Sequence, residues 1–126
     1  MDCPFCYDQI QNKIIDHYHS VFAIKDEYPV AEGHLLIIPN RHCQDYFEMT
    51  MEEIWDIHHF INLLKKNIVS EDSTVTGFNI GINIGVSAGQ TIFHTHIHLI
   101  PRRDKDTPNP RGGVRGVIPD KMSYPF

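Results

Sequence analysis

At 126 residues, 41% hydrophobic and 21% charged, the chain has the size and composition of one small globular domain with a single core. No apolar run approaches the ~20 residues of a membrane span, and Met1-Asp2-Cys3-Pro4 lacks the basic start and apolar stretch of a secretory signal, so a cytoplasmic protein is expected. The net charge of −5 hides a split: residues 1–100 are acidic, whereas six Lys/Arg stand against three Asp/Glu over 101–126, a short basic tail and not the broad basic face that duplex nucleic acid requires.

In chain order, strands are expected at 13–17, 21–25 and 35–39, the last two flanking a loop punctuated by Pro29 and Gly33. A helix is expected over 50–70, because Ile54, Ile57, Ile61, Leu64 and Ile68 recur at three- and four-residue spacing. Thr50-Met51-Glu52-Glu53 fits a capping box at its start, and Lys65 and Lys66 near its end suit the helix dipole. Residues 78–84 alternate apolar with small or polar side chains, as a half-buried strand does. A Gly/Ser/Ala turn over 85–90 then leads into a strand over 92–100. Short strands, hairpin-length connections and one dominant helix point to an α+β domain with an antiparallel sheet. After Pro101 the periodicity disappears, so residues 1–101 are expected to form the domain and 102–126 a basic Pro/Gly-rich tail laid over it.

The chemistry concentrates in His94-Thr95-His96-Ile97-His98. In a strand these three imidazoles share one face over ~13 Å, with Thr95, Ile97 and Leu99 on the other. Histidine is a poor core filler, because its ring nitrogens need partners when buried. Two chemistries fit: ligands to a hydrolytic Zn²⁺, or a nucleophile that attacks phosphorus while its other nitrogen is held by a backbone carbonyl. The preceding turn favours the second, since Gly85, Gly89 and Gln90 would let backbone N–H groups approach phosphate oxygens. Cys3-Pro4-Phe5-Cys6 is either half of a zinc site or a redox pair. Nothing around it resembles a thioredoxin unit, a disulfide is disfavoured in the cytoplasm, and two histidines would close a tetrahedral site. His17, His19, His58 and His59 are expected on the surface.

Asn83-x-Gly85-x-x-Ala88-Gly89-Gln90-Thr91-x-x-His94-x-His96-x-His98-Leu99-Ile100 resembles the signature of the histidine triad (HIT) superfamily of nucleotide hydrolases and transferases. Phe22-Ala23-Ile24-Lys25-Asp26 and Gly33-His34-Leu35-Leu36-Ile37-Ile38-Pro39 resemble its other characteristic blocks, and the likeness runs from Cys3 to about Pro101. It implies a five-stranded antiparallel sheet with one long helix, in a homodimer whose two sheets join. By the resemblance His96 is the nucleophile, His98 a phosphate ligand, His34 the histidine that buttresses the triad, and Thr91 a residue near the leaving group. Asn83, Gly89, Gln90, Thr91, Ile92 and His98 would contact the nucleotide, and Asp26 the ribose hydroxyls, a role that suits a carboxylate acceptor. Zinc-containing members imply a closed structural Zn²⁺ on Cys3, Cys6, His42 and His94, with Cys43 a weaker rival ligand; no organic cofactor is implied.

The segment 109–119 resembles the tail of a bacterial subgroup of the family. Superfamily C-termini commonly reach the partner subunit's active site, so Arg111 or Arg115 is expected there. With Arg102 and Arg103 they would neutralise the later phosphates of a polyphosphate. The expected activity is hydrolysis at the α-phosphorus of adenosine dinucleoside polyphosphates, such as diadenosine tetraphosphate, through a nucleotidyl-histidine. A nucleoside phosphoramidate (AMP-amide) is the second leaving-group class. A zinc-dependent hydrolase and a non-catalytic purine-nucleotide-binding module are the alternatives in kind; neither nucleic acid nor a membrane is an expected partner.

Overall fold

A computed structural model describes residues 3–125; Met1 and Asp2, part of the N-terminal reading, and Phe126 lie outside the described residues. The strands are β1 (Ile14–Tyr18), β2 (Val21–Lys25), β3 (Leu35–Pro39), β4 (Val75–Gly81) and β5 (Ile97–Arg103), with α1 (Tyr7–Ile10) and the long α2 (Met51–Glu71). They form one antiparallel sheet in the order β1-β2-β3-β5-β4, an α+β fold. No helix among the described residues is long and apolar enough to cross a membrane.

The continuous apolar runs of β2 and β3 follow from burial on both faces, as in a covered sheet. Val21, Ala23, Leu35 and Ile37 point to one side, where they join Ile97, Leu99 and the Ile57, Phe60 and Leu64 stripe of α2. Phe22, Ile24, Leu36 and Ile38 point to the other, where Cys3, Phe5 and Ile10 cover them. Each fully buried side chain of this size contributes about 1.5–3 kcal/mol. The short N-terminal segment is therefore a second layer, and the sequence pattern does not reveal it because α1 has only four residues.

Helix α2 begins where its cap dictates. The Thr50 hydroxyl accepts from the Glu53 N–H, and the Glu53 carboxylate accepts from the Thr50 N–H. The helix runs one residue past the expected end, so Lys65 and Lys66 are not in its last turn, which holds no basic residue.

Two strands depart from expectation. β4 starts and ends three residues early: Phe78 and Ile82 still pack on the helix side, but Ile82 does so from beyond the ladder. β5 begins at Ile97, not residue 92. β3 pairs with it only from Ile37↔Ile97 onward, and the chain before that is tied elsewhere by Thr95 N–H donating to the Cys43 carbonyl. His94 and His96 therefore precede the strand. Thr95, Ile97 and Leu99 are buried together opposite His96, as the alternation requires.

Where the sequence shows no periodicity, the tail is ordered into 3-10 turns at Gly113–Val117, which packs against β4, and at Pro119–Lys121. Gly112 enters them at φ +90°, and a side chain there would collide with the Met122 carbonyl oxygen. Arg115 donates to the Lys121 carbonyl at 2.9 Å and its guanidinium lies 4.9 Å over the Tyr124 ring, so the tail is folded on itself.

Candidate active site and metal centre

The three histidines are distinguished by which ring nitrogen faces a carbonyl. A carbonyl oxygen only accepts, so the ring nitrogen beside it carries the proton. His96 Nδ1–H donates to the His94 carbonyl at 2.8 Å, which leaves its Nε2 lone pair free. His94 Nε2–H donates to the Pro39 carbonyl at 2.9 Å, which turns its Nδ1 lone pair the other way. For the third histidine the setting group is remote. Val30 N–H donates to His34 Nδ1, so the neutral His34 carries its proton on Nε2, 2.9 Å from His98 Nδ1 and 3.3 Å from Asp26 Oδ2. His98 Nδ1 accepts that proton, and its own N–H is then Nε2–H. One histidine thus offers a ligand lone pair, one a nucleophilic lone pair and one a hydrogen-bond donor.

Burial keeps His34 and His98 neutral. It pushes both rings below the ordinary histidine value, and for His98 the neighbouring His34 and His96 push the same way, while Asp26 opposes. Asp26, His34 and His98 also converge as a metal ligand set would. A cation on His34 Nε2 would force the ring proton onto Nδ1, against the Val30 N–H, so these three form a proton-ordered relay and not a metal site.

His94 Nδ1 faces Cys3 Sγ at 3.3 Å, Cys6 Sγ at 3.7 Å and His42 Nδ1 at 3.2 Å, and Cys6 Sγ lies 3.3 Å from His42 Nδ1. Tetrahedral zinc with ordinary bond lengths puts S···N at about 3.5 Å and N···N at about 3.4 Å. Burial, with Cys3 adding to it, pushes the Cys6 thiol up to about 11, so paired thiolates here require a cation between them. The Pro39 carbonyl on His94 Nε2–H is the outer hydrogen bond that fixes a metal-binding imidazole. The four residues expected as ligands fit Zn²⁺ by spacing, tautomer and donor chemistry. Cys43 stands apart, its sulfur on the Thr95 hydroxyl at 3.4 Å.

The turn before the triad differs from expectation. The N–H groups of Gly85, Gly89 and Gln90 are already taken: Gly85 by the Gln90 Oε1, Gly89 by the Val86 carbonyl and Gln90 by the Gly85 carbonyl. Gln90 is buried, and its side-chain Nε2 donates to the Gln44 and Ile92 carbonyls at 2.7 and 3.2 Å. Gln90 is thus a clamp that shapes the turn, not a free phosphate ligand; its three bonds to backbone hold 85–92 against 44. Thr91, by contrast, is exposed, and neither its N–H nor its hydroxyl has a partner among the described residues. Ile92 packs on the apolar cluster beneath the N-terminal segment.

A cavity of about 1020 Å³ lies between the tail and the sheet, lined by His34, His98 and Asn83 on one side and Gly113, Val114 and Val117 on the other. The arginines expected to serve phosphates are mostly spent. Arg102 is held by Asp106 and Asn79, and Arg103 by Asp72, Thr74 and the Glu32 carbonyl. Arg115 is turned to Lys121 and Tyr124; only the exposed Arg111 has a guanidinium without a partner among the described residues. Sequence reasoning missed Val30, Pro39 and Phe5. The first two act through backbone atoms, which carry no residue-type signal, and Phe5 falls at a position that a Cys-x-x-Cys pattern leaves unspecified. His17, His19, His58 and His59 are on the surface, as expected.

Residues 8–105 match the family described as the HIT domain. A HIT family protein from Bacillus anthracis is similar in structure at TM-score 0.75 and 37% identity, covering 82% of this chain and 75% of that one. A Zn-bound histidine triad family protein from Mycobacterium smegmatis is similar at TM-score 0.68 and 30% identity, over 86% of this chain and 81% of that one. The asymmetrical bis(5′-nucleosyl)-tetraphosphatase of Schizosaccharomyces pombe is 35% identical over 62% of this chain, but the match spans only 42% of that protein.

Proposed function

The chain belongs to the HIT family of nucleotide hydrolases, and we propose that it cleaves adenosine dinucleoside polyphosphates at the α-phosphorus through a nucleotidyl group on His96. The observation that carries this reading is the His94 carbonyl on His96 Nδ1–H, which leaves Nε2 as a lone pair beside a second imidazole whose ring centroid is 5.6 Å away. His96 Nε2 attacks phosphorus, and the bond to the leaving phosphate breaks with its electron pair on that oxygen. Water then attacks the phospho-imidazole, its proton is released, and the P–N bond returns its pair to Nε2. His98 Nε2–H is aimed as a donor to the non-bridging oxygen on which charge grows. Thr91, whose hydroxyl is exposed, would meet the leaving group. Asp26 has Oδ2 on the His34–His98 pair, and its Oδ1, which accepts from the Tyr28 N–H at 2.8 Å, would have to share its remaining lone pair with the ribose; Asn83 borders the cavity.

Zn²⁺ on Cys3, Cys6, His42 and His94 would supply structure and no open coordination position. The M. smegmatis relative supports metal binding here. Among the described residues no strand pairs with the outer edge of β4, which supports a homodimer formed by continuing the sheet across two copies.

A second reading has its own observation. With Arg102, Arg103 and Arg115 engaged, the cavity beside His98 has little free positive charge for a polyphosphate. An AMP-amide fits that lining, and its leaving amine must take up a proton that a leaving phosphate does not need. The test is a panel of diadenosine tetraphosphate, diadenosine triphosphate and AMP-lysine amide with wild type and His96→Gly. Preference for the tetraphosphate with a trapped AMP adduct on wild type alone is the expected outcome. Higher kcat/KM on the amide favours the second reading; turnover without any adduct, or an equally active variant, overturns the covalent route. Binding with neither turnover nor adduct makes the protein a nucleotide-binding module.

A further inference from the structure

Phe5 sits between the two ligand cysteines, and its ring meets the His96 ring edge-on, at 5.1 Å between centroids and 78° between planes. It is buried in the same apolar cluster as Cys3, Phe22, Ile24 and Leu36. His96 is therefore held from two sides by parts of one metal-binding unit. Its Nδ1–H rests on the carbonyl of the ligand His94, and its ring is flanked by the residue between ligands Cys3 and Cys6. A single hydrogen bond leaves the imidazole free to pivot about the N–H···O line, which would swing Nε2 away from an attacking geometry. A ring packed against its flank removes that freedom.

Among the described residues the backbone turn that carries Phe5 has few ties of its own. Cys6 N–H donates to the Cys3 carbonyl at 3.3 Å, and the Cys6 carbonyl accepts from the Gln9 and Ile10 N–H groups of the short α1. Four ligands on one ion would tie this turn to the loop after β3 and to the segment before β5, and so fix where Phe5 lies.

We propose that Phe5 is a positioning residue for His96, and that metal bound at Cys3, Cys6, His42 and His94 sets the reactivity of His96 through Phe5 and the His94 carbonyl. This rests on the reading of His96 as the nucleophile. The metal centre is then a clamp on the reacting ring as well as a staple for the N-terminus.

The experiment uses the full chain loaded with Zn²⁺ and labelled with ¹⁵N-histidine, as wild type, Phe5→Leu, Phe5→Met and Phe5→Tyr. Metal content and Tm are measured first. The His96 imidazole ¹⁵N signals are identified by their loss in His96→Gly. Adduct formation is followed as the burst of p-nitrophenolate from the p-nitrophenyl ester of AMP. In Phe5→Leu the expectation is full zinc content, exchange-broadened or shifted His96 signals, a burst rate lower by about tenfold and KM within about twofold, with Phe5→Tyr restoring rate and signals. Removing zinc from wild type with a chelator under reducing conditions should move the same His96 signals.

Wild-type signals and rate in fully loaded Phe5→Leu would overturn the proposal. So would a rate loss that tracks zinc loss alone across Leu and Met, or His96 signals indifferent to chelation. If wild type gives zinc-sensitive His96 signals but no adduct, the nucleophile reading fails and the positioning of the ring stands.

Discussion

His94, His96 and His98 are one residue type at one spacing, yet each presents a different chemistry, because a backbone group chooses which nitrogen bears the proton. The Pro39 carbonyl, the His94 carbonyl and, through His34, the Val30 amide make those choices. Replacing His96 by Gly should lower turnover by at least about 10³-fold with little change in Tm; substrate turnover and thermal denaturation measured on one preparation check this. His94→Ala should instead lose zinc and lower Tm, because it removes a ligand that is completely buried. The His34–His98 pair also predicts a pH dependence of stability. Both rings are pushed below the ordinary histidine value, so their contribution is complete above about pH 6.5 and is lost as pH falls through the lowered values, where the unfolded chain takes protons the folded one refuses. Tm should therefore fall between about pH 7 and pH 5, and His34→Asn should flatten that slope. A Tm that rises over this range would contradict the assignment. The residues and, through the family resemblance, their division of labour were expected from the chain; the backbone groups that set each tautomer were not, since carbonyls and amides are the same at every position.

Among the elements, α2 was the most legible. A capping box and a 3.6-residue stripe are local signals, and both are realised. Thr50→Ala should cost about 1 kcal/mol, a Tm shift of roughly 3–5 °C by thermal melt. Glu53 links this cap to the site: its carboxylate also takes two bonds from Arg41, next to the ligand His42. β2 and β3 were legible as well, since runs such as Val21-Phe22-Ala23-Ile24 have one extended solution. The start of β5 was not. Its alternation continues unbroken from His94, but strand pairing stops at Ile97 because the preceding residues bond to Cys43 and Pro39. Period-two sequence fixes which side each residue faces, not whether a neighbouring strand is there to pair.

At the scale of the whole molecule, the tail and the N-terminal segment close the two ends of the site. The tail covers the cavity beside His98 and is braced by Gly112 at φ +90° against Met122. Gly112→Ala should spring it loose: kcat/KM for bulky leaving groups should change by several-fold or more, while the burst with AMP p-nitrophenyl ester stays within about twofold. Equal effects on both substrates would mean that the tail does not shape the leaving-group pocket. Chelation should lower Tm markedly if Cys3, Cys6, His42 and His94 hold the proposed Zn²⁺, since they would then join the N-terminus to two distant parts of the chain.

By itself the sequence determined the α+β class and the capped helix, which rest on local periodicity and capping residues, and the family resemblance named candidate metal ligands and triad roles. Only the tertiary structure decided that Gln90 clamps a turn, that three tail arginines are already paired, and that Phe5 lies against His96. Those facts depend on which groups meet after folding, and on partners already satisfied within the protein, which no spacing along the chain encodes.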